Sequence, residues 1–449
     1  MRYLFDQALL PGGWEDMVTI DVDGSSIGTV ATGGPVHRAG RRACVPGIVN
    51  LHSHAFQRGM AGLAERRSGN KDSFWTWRDV MYRFLDRLSP EDCRAVAAMA
   101  YVEMLESGFT RVVEFHYLHH DVDGRPYADI GEMAGQIAAA AAETGIGLTL
   151  LPVLYQYGNF GRSPAGHGQR RFLNDLDAFS RLLDASRKHL SSLPGANIGV
   201  APHSLRAVDK PALDAVVALG HGGPIHMHIA EQPREVADSV AFSGARPVEW
   251  LLGNADVNAD WCLIHATHMT GAETTGLAAT GAVAGLCPVT EANLGDGIFA
   301  GSEWAGNGGS YGVGSDSNVA IGLVPELRLL EYSQRLKAGG RNMLADRFDS
   351  TGRSLFERAH AGGNRAADVS GGLETGLPAS FVVLDLDTPA LVSRGHDDVL
   401  DGWIFGHDRS PITSVVVNGR EVVRDGVHVG REAIAPRYIN TMQRLLSDL

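Results

Sequence analysis

The chain has little cysteine, a deficit of positive charge and no long apolar run. Its four cysteines, Cys44, Cys93, Cys262 and Cys287, are scattered over 449 residues with no Cys-x-x-Cys pair. That pattern excludes a disulfide framework and fits buried thiols in a reducing cytoplasm. No stretch approaches the roughly 18 apolar residues of a membrane span. The opening Met1-Arg2-Tyr3-Leu4-Phe5-Asp6 lacks the apolar region of a secretory signal. A cytoplasmic location is therefore expected. Lys and Arg total 39 against 52 Asp and Glu, a net charge of −13. Such a surface argues against nucleic acid and anionic membranes as partners, and any anionic substrate would need local arginines. Internal repeats and low-complexity segments are absent as well. What is present is a globular composition, 44% hydrophobic and 20% charged. The length suits one large catalytic domain with a smaller satellite.

The two ends read as β structure. Val18–Val22 followed by Asp23-Gly24 is a strand and turn, and Phe381–Leu386 is a buried-strand run. Val415–Val423 reads as a hairpin about Asn418-Gly419, a strong turn signal. The middle alternates. Ala-rich amphipathic stretches, such as Glu91–Ser107 and Ile130–Thr144, precede short apolar runs at 110–115, 148–153, 198–201, 225–229, 262–265, 282–286 and 311–316. With Gly47–Leu51 these make eight strands separated by helices. The expected fold class is α/β: a (β/α)8 TIM barrel over 47–369, with a small β-sandwich built from 1–46 and 370–449.

Chemistry in such a barrel sits at the C-terminal ends of the strands. His52 and His54 end the first, and in a strand alternate residues share a face, so both imidazoles point one way. His228 and Glu231 close the fifth strand, His265 ends the sixth and Asp316 the eighth. His52, His54, His228 and Asp316 form a ligand set for one divalent ion, with room for water. His226 reads as a core histidine. His119 and His120 read as solvated, Trp75 and Trp77 as packing residues, and Glu114 as a buried acid with a structural partner.

This set resembles the amidohydrolase superfamily over the full length of the chain, in its mononuclear, deaminase-like subtype. The Pro46-Gly47 entry to His52-x-His54, the His228-x-x-Glu231 element, His265, Ser315-Asp316-Ser317 and the terminal β unit carry the resemblance. No lysine stands where binuclear members carry a bridging one. Longer segments are similar to the formimidoylglutamate deiminases of histidine degradation: Asn50–Arg58, Ser73–Arg78, Glu114–Tyr117, His203–Val208, His226–Glu231 and Thr290–Phe299. One departure is Ala379-Ser380-Phe381, where those relatives have Ala-Asp-Leu.

The resemblance implies one metal ion, commonly Zn2+, and hydrolysis of N-formimidoyl-L-glutamate to N-formyl-L-glutamate and ammonia. Asp316 would ligate the ion and accept the water proton, His265 would orient and stabilise the nucleophile, and Glu231 would carry a proton to the departing ammonia. Gln57, Arg78, Tyr117, His203 and Arg206 would surround the substrate. Two carboxylates need two guanidinium groups, and Arg78 and Arg206 are expected just past a strand or in a loop near the mouth. The partner is thus a small dicarboxylate amidine, and a homodimer is expected. Two alternatives stand beside this: a relative acting on a purine, pyrimidine or triazine ring, and a non-catalytic barrel scaffold. The scaffold is opposed by the complete ligand set.

Overall fold

A computed structural model describes residues 1–34, 40–67, 72–406 and 409–447. Four strands open the chain: β1 (Arg2–Leu10), β2 (Gly13–Asp23), β3 (Ser26–Ala31) and β4 (Arg42–Pro46). The barrel follows, with β5 (Ile48–Ser53), β6 (Phe109–His116), β7 (Gly147–Leu154), β8 (Asn197–Ile198), β9 (Ala201–Pro202), β10 (Ile225–Ile229), β11 (Trp261–His265), β12 (Val283–Leu286) and β13 (Ser310–Val313). Four more strands close the chain: β14 (Phe381–Asp385), β15 (Ile412–Val417), β16 (Arg420–Arg424) and β17 (Val427–His428).

All pairings among β5–β13 are parallel. The fourth barrel strand is broken into β8 and β9. Two regular sheets, β5 to β8 and β10 to β13, meet at both seams through parallel bridges: Ser53 with Asp316 on one side, Val200 with Ile225 and Ser204 with His228 on the other. The result is the eight-stranded α/β barrel. Its strands are enclosed on both faces, so they read as unbroken apolar runs; every residue of β7 is buried. The helices between them start on local signals. Ser89 caps helix Pro90–Glu106: its hydroxyl accepts from Asp92 N at 3.2 Å, and the Asp92 carboxylate accepts from Ser89 N at 3.1 Å.

Both chain ends interleave in one eight-stranded sheet of order β17-β16-β15-β14-β4-β1-β2-β3. Along β14 the period-2 alternation serves two cores. Val382 and Leu384 join the barrel core, while Phe381 and Val383 join a second core with Phe5, Val18, Ile20 and Val416. The β15–β16 hairpin turns at Asn418 (φ 47°) and Gly419 (φ 77°), the left-handed pair that a two-residue turn needs. Helices Asp397–Phe405 and Arg431–Leu446 leave the sheet. The second lies on helix Pro90–Glu106, tied to it by the Arg444–Asp92 ion pair and to the neighbouring helix Glu132–Thr144 by Arg437–Glu143 (2.9 Å). Among the described residues no helix is long and apolar enough to cross a membrane.

Candidate active site

Barrel closure assembles the site. Asp316 N donates to His52 O (2.9 Å) and His54 N donates to Asp316 O (3.0 Å), which locks the eighth strand end against the first. Gly314 permits this approach: a Cβ there would lie 2.7 Å from both the backbone N and O of His52. A buried polar network reinforces it. Asn50 Nδ2 donates to Ser315 Oγ (2.6 Å), Ser315 Oγ donates to Asn318 Oδ1 (2.6 Å), and Asn318 Nδ2 donates to His54 O (3.1 Å). Asp316 (φ 45°) and His265 (φ 68°) both sit in left-handed backbone, the strain typical of residues aimed into a site.

His52, His54, His228 and Asp316 are all buried, and their ligand atoms lie within 4.8 Å of one another. His54 Nδ1 donates to Phe115 O (2.9 Å) and His228 Nδ1 to His203 O (3.2 Å). Those bonds leave lone pairs on both Nε2 atoms. His228 Nε2 then faces His52 Nε2 at 3.1 Å, and His54 Nε2 faces Asp316 Oδ1 at 3.2 Å. His52 Nδ1 is buried and unpartnered. Lone pairs converging on each other and on a carboxylate repel unless a cation lies between them. Separations of this size span a coordination sphere with bonds of about 2.0–2.1 Å. The donor set therefore fits a divalent ion. Burial pushes the His52 imidazole down to about 3 and holds His228 far below its ordinary value, so both are neutral, as ligands must be. Burial pushes Asp316 the other way, but the adjoining His52 and His54 imidazoles outweigh it and hold the carboxyl below its usual range.

His265 Nε2 lies 3.8 Å from Asp316 Oδ2 and 3.8 Å from Glu231 Oε1. Its Nδ1 bonds Glu291 Oε1 at 3.2 Å. Burial opposes a charge on His265, yet the bond to Glu291 and the charges of Glu231 and Asp316 prevail and raise it to about 10. Glu231 is raised, chiefly by burial. Arg206 Nη2 lies 3.4 Å from Glu231 Oε2, and its Nε is 3.9 Å from Glu235. Glu235 also accepts from the Glu231 backbone N at 3.1 Å, fixing the loop. Cys287 shares a second possible ligand group with His265 and Asp316, but the Glu291 bond occupies Nδ1 of His265 and burial keeps the thiol protonated.

A cavity opens beside this cluster. Gln57, Arg78, Tyr117, His203 and Arg206 all line it, as do Glu231 and Asp316. Gln57 Nε2 donates to Tyr117 Oη at 2.7 Å, while Gln57 Oε1 has no partner. His203 packs face to face with His228, ring centroids 5.0 Å apart. Every residue expected at the site is thus at or directly behind one cavity.

Several placements differ from expectation. Arg78 belongs to helix Phe74–Leu85, not to a loop; Arg206 does lie in a turn, beyond β9. His119 and His120 are buried rather than solvated, their Nε2 atoms bonded to Val153 O and Leu173 O at 2.9 Å each. Backbone bonds from His119 N and His120 N to Arg171 O (3.0 Å each), with Arg171 Nε donating to His120 O (2.8 Å), pin this segment against residues 171–173. Trp77 borders the cavity as well as packing against the core. His226 is a core histidine, its Nε2 bonded to Ala366 O at 2.7 Å, and Glu114 holds Ala55 N (2.7 Å) and Tyr101 Oη (3.2 Å). Sequence reading missed Glu291, Glu235 and Asp296 as partners of the site. Asp296 is buried, takes Gln232 Nε2 on one oxygen, and is pushed up to about 9, first by burial and then by Glu231.

The amidohydrolase family profile matches residues 43–422. The formimidoylglutamate deiminase of Pseudomonas aeruginosa is 48% identical over 448 residues, covering 98% of each chain. The crystal structure of an amidohydrolase from Brucella melitensis superposes with a TM-score of 0.95 at 52% identity, covering 99% of each chain. An adenosine deaminase from Xanthomonas campestris with bound zinc shares the fold, with a TM-score of 0.82 at 20% identity over 99% and 98% of the two chains. With the ligand cluster at the barrel mouth and a profile match across most of its length, the chain belongs to the amidohydrolase family.

Proposed function

We propose that this chain hydrolyses N-formimidoyl-L-glutamate to N-formyl-L-glutamate and ammonia, a step of histidine degradation. The observation that carries the reading is one cavity joining a three-imidazole, one-carboxylate cluster to two arginines, Arg78 and Arg206. The near-full-length likeness to a formimidoylglutamate deiminase supports it. His52, His54, His228 and Asp316 would hold one divalent ion, and such a donor set suits Zn2+. Bound there, the ion acidifies water and so supplies a nucleophile near neutral pH.

The chain's own groups do the rest. Asp316, kept ionised, accepts the proton of the attacking water. His265, kept charged, stabilises negative charge beside Asp316 and Glu231. The water oxygen bonds the formimidoyl carbon and the terminal C–N bond breaks. Glu231, within 3.8 Å of His265 and 3.4 Å of Arg206, carries that proton on to the departing nitrogen. Arg78 and Arg206 grip the two carboxylates, and Gln57, Tyr117 and His203 orient the rest of the substrate. The same reading takes 47–369 as the catalytic barrel, 1–46 with 370–449 as the terminal unit, and the protein as a cytoplasmic homodimer that binds neither nucleic acid nor membrane.

The test is product analysis with the Zn2+-loaded protein. Formimidoylglutamate should yield equal amounts of ammonia and N-formylglutamate, with no ammonia from adenosine, guanine or cytosine. Preference for a ring substrate would overturn the substrate and leave the family chemistry intact.

A further inference from the structure

Arg78 is half-buried at the cavity wall and is held differently from the arginines that pair with acids. Arg206 lies beside Glu231 and Glu235, and Arg353 pairs with Glu357 and Asp397. Among the described residues no carboxylate pairs with Arg78, and its Nε is buried without a hydrogen-bond partner. Aromatic rings hold it instead. Its guanidinium carbon lies 4.5 Å from the centroid of Trp75 and 5.5 Å from that of Tyr82. A second guanidinium rests on the same indole: the carbon of Arg234 lies 4.6 Å from the Trp75 centroid. Arg234 opens helix Pro233–Ser243, immediately after the Glu231 loop. One indole thus joins the helix that carries Arg78 to the segment that carries Glu231.

A ring and a carboxylate orient a guanidinium in different ways. A carboxylate neutralises the charge and occupies its N–H donors. An aromatic face attracts the cation through its quadrupole and takes no in-plane donor. An arginine held in this way keeps its charge and donors for a ligand's carboxylate.

We infer that Trp75 is a positioning residue, which holds Arg78 ready for a substrate carboxylate and is itself tied to the Glu231 segment through Arg234. The inference rests on the proposed dicarboxylate substrate. Trp75 does not line the cavity, so it acts through Arg78.

Steady-state kinetics of Trp75→Phe, Trp75→Leu, Arg234→Met, Arg78→Met and the Trp75→Leu/Arg78→Met pair test it. Removing this half-buried cation–π contact should lower kcat/KM of Trp75→Leu about tenfold, mostly through KM. Trp75→Phe keeps a ring and should lose less than about threefold. Arg234→Met, a change at an exposed side chain, should shift KM in the same direction by about threefold. In the Arg78→Met background, Trp75→Leu should add almost nothing, because the interaction is already gone. The inference is overturned if Trp75→Leu and Arg234→Met leave KM unchanged while Arg78→Met raises it, or if the Trp75→Leu loss persists in full without Arg78. If Arg78→Met itself leaves formimidoylglutamate kinetics unaltered, the dicarboxylate role of Arg78 fails first, and that result is distinct from either.

Discussion

Asp316 bears three roles at one position. Its backbone bridges the first and eighth strands, its Oδ1 joins the imidazole cluster, and its Oδ2 faces His265. Glu231 has one role, and so it is the cleaner residue to test. Glu231→Gln keeps the shape and removes the transferable proton. Its kcat should fall by roughly 10²–10⁴, with bound metal unchanged by elemental analysis. Turnover near that of the native protein would exclude Glu231 as the proton carrier. Asp296 offers a test by pH. Its carboxyl rises to about 9 in the folded protein from an ordinary 3.8. Between those values the native state keeps a proton that the unfolded chain has released, so folding stability falls as pH rises through this window. Asp296→Asn cannot release that proton. Urea unfolding at constant metal concentration should therefore show a shallower decline for this variant between about pH 5 and pH 8.5.

At the scale of elements, the site depends on how closely β5 approaches the end of β13. Gly314 has no side chain because His52 backbone atoms occupy that space. Gly314→Ala should destabilise the fold by roughly 1–3 kcal/mol, the usual scale for overpacking, and should lower metal content as His52 and Asp316 are pried apart. Gly306→Ala is the control, since nothing lies within 4 Å of a Cβ at that exposed helix position. Equal effects from the two would show that the seam tolerates the methyl group. The helices and strands themselves were largely legible. The expected Glu91–Ser107 and Ile130–Thr144 helices are observed as Pro90–Glu106 and Glu132–Thr144. Caps such as Ser89 and apolar runs such as β7 are local signals, written within a few residues of where they act. The break of the fourth strand into β8 and β9 falls at Gly199, where a side chain would meet Pro224 O, and that glycine inside the apolar run was its local mark.

For the whole molecule, the ion and the barrel support one another. Ligands from β5, from β10 and from beyond β13 converge only when the barrel closes. An ion that binds the folded state alone stabilises it by RT ln(1 + [L]/Kd), about 2.7 kcal/mol at a hundredfold excess over Kd. Chelation should therefore lower Tm and abolish turnover, with both restored by about one equivalent of Zn2+ per chain. A His52→Ala protein should start near the chelated Tm and ignore the chelator. Two tightly held ions per native chain would overturn the single-ion assignment.

The sequence by itself determined the barrel rhythm, the shared face of His52 and His54, and the strand ends from which His228, Glu231, His265 and Asp316 project. Each follows from a short-range period, two along a strand or one element after another along the chain, and needs no knowledge of distant neighbours. The tertiary structure alone decided which charges are satisfied. Glu291 reaches His265 across 26 positions, Asn50 reaches Ser315 across 265, and Arg78 meets Arg234 only through the Trp75 ring. The burial of His119 and His120 belongs with these. Pairing, burial and pKa depend on what closure brings within a few ångströms, and no local pattern encodes that distance.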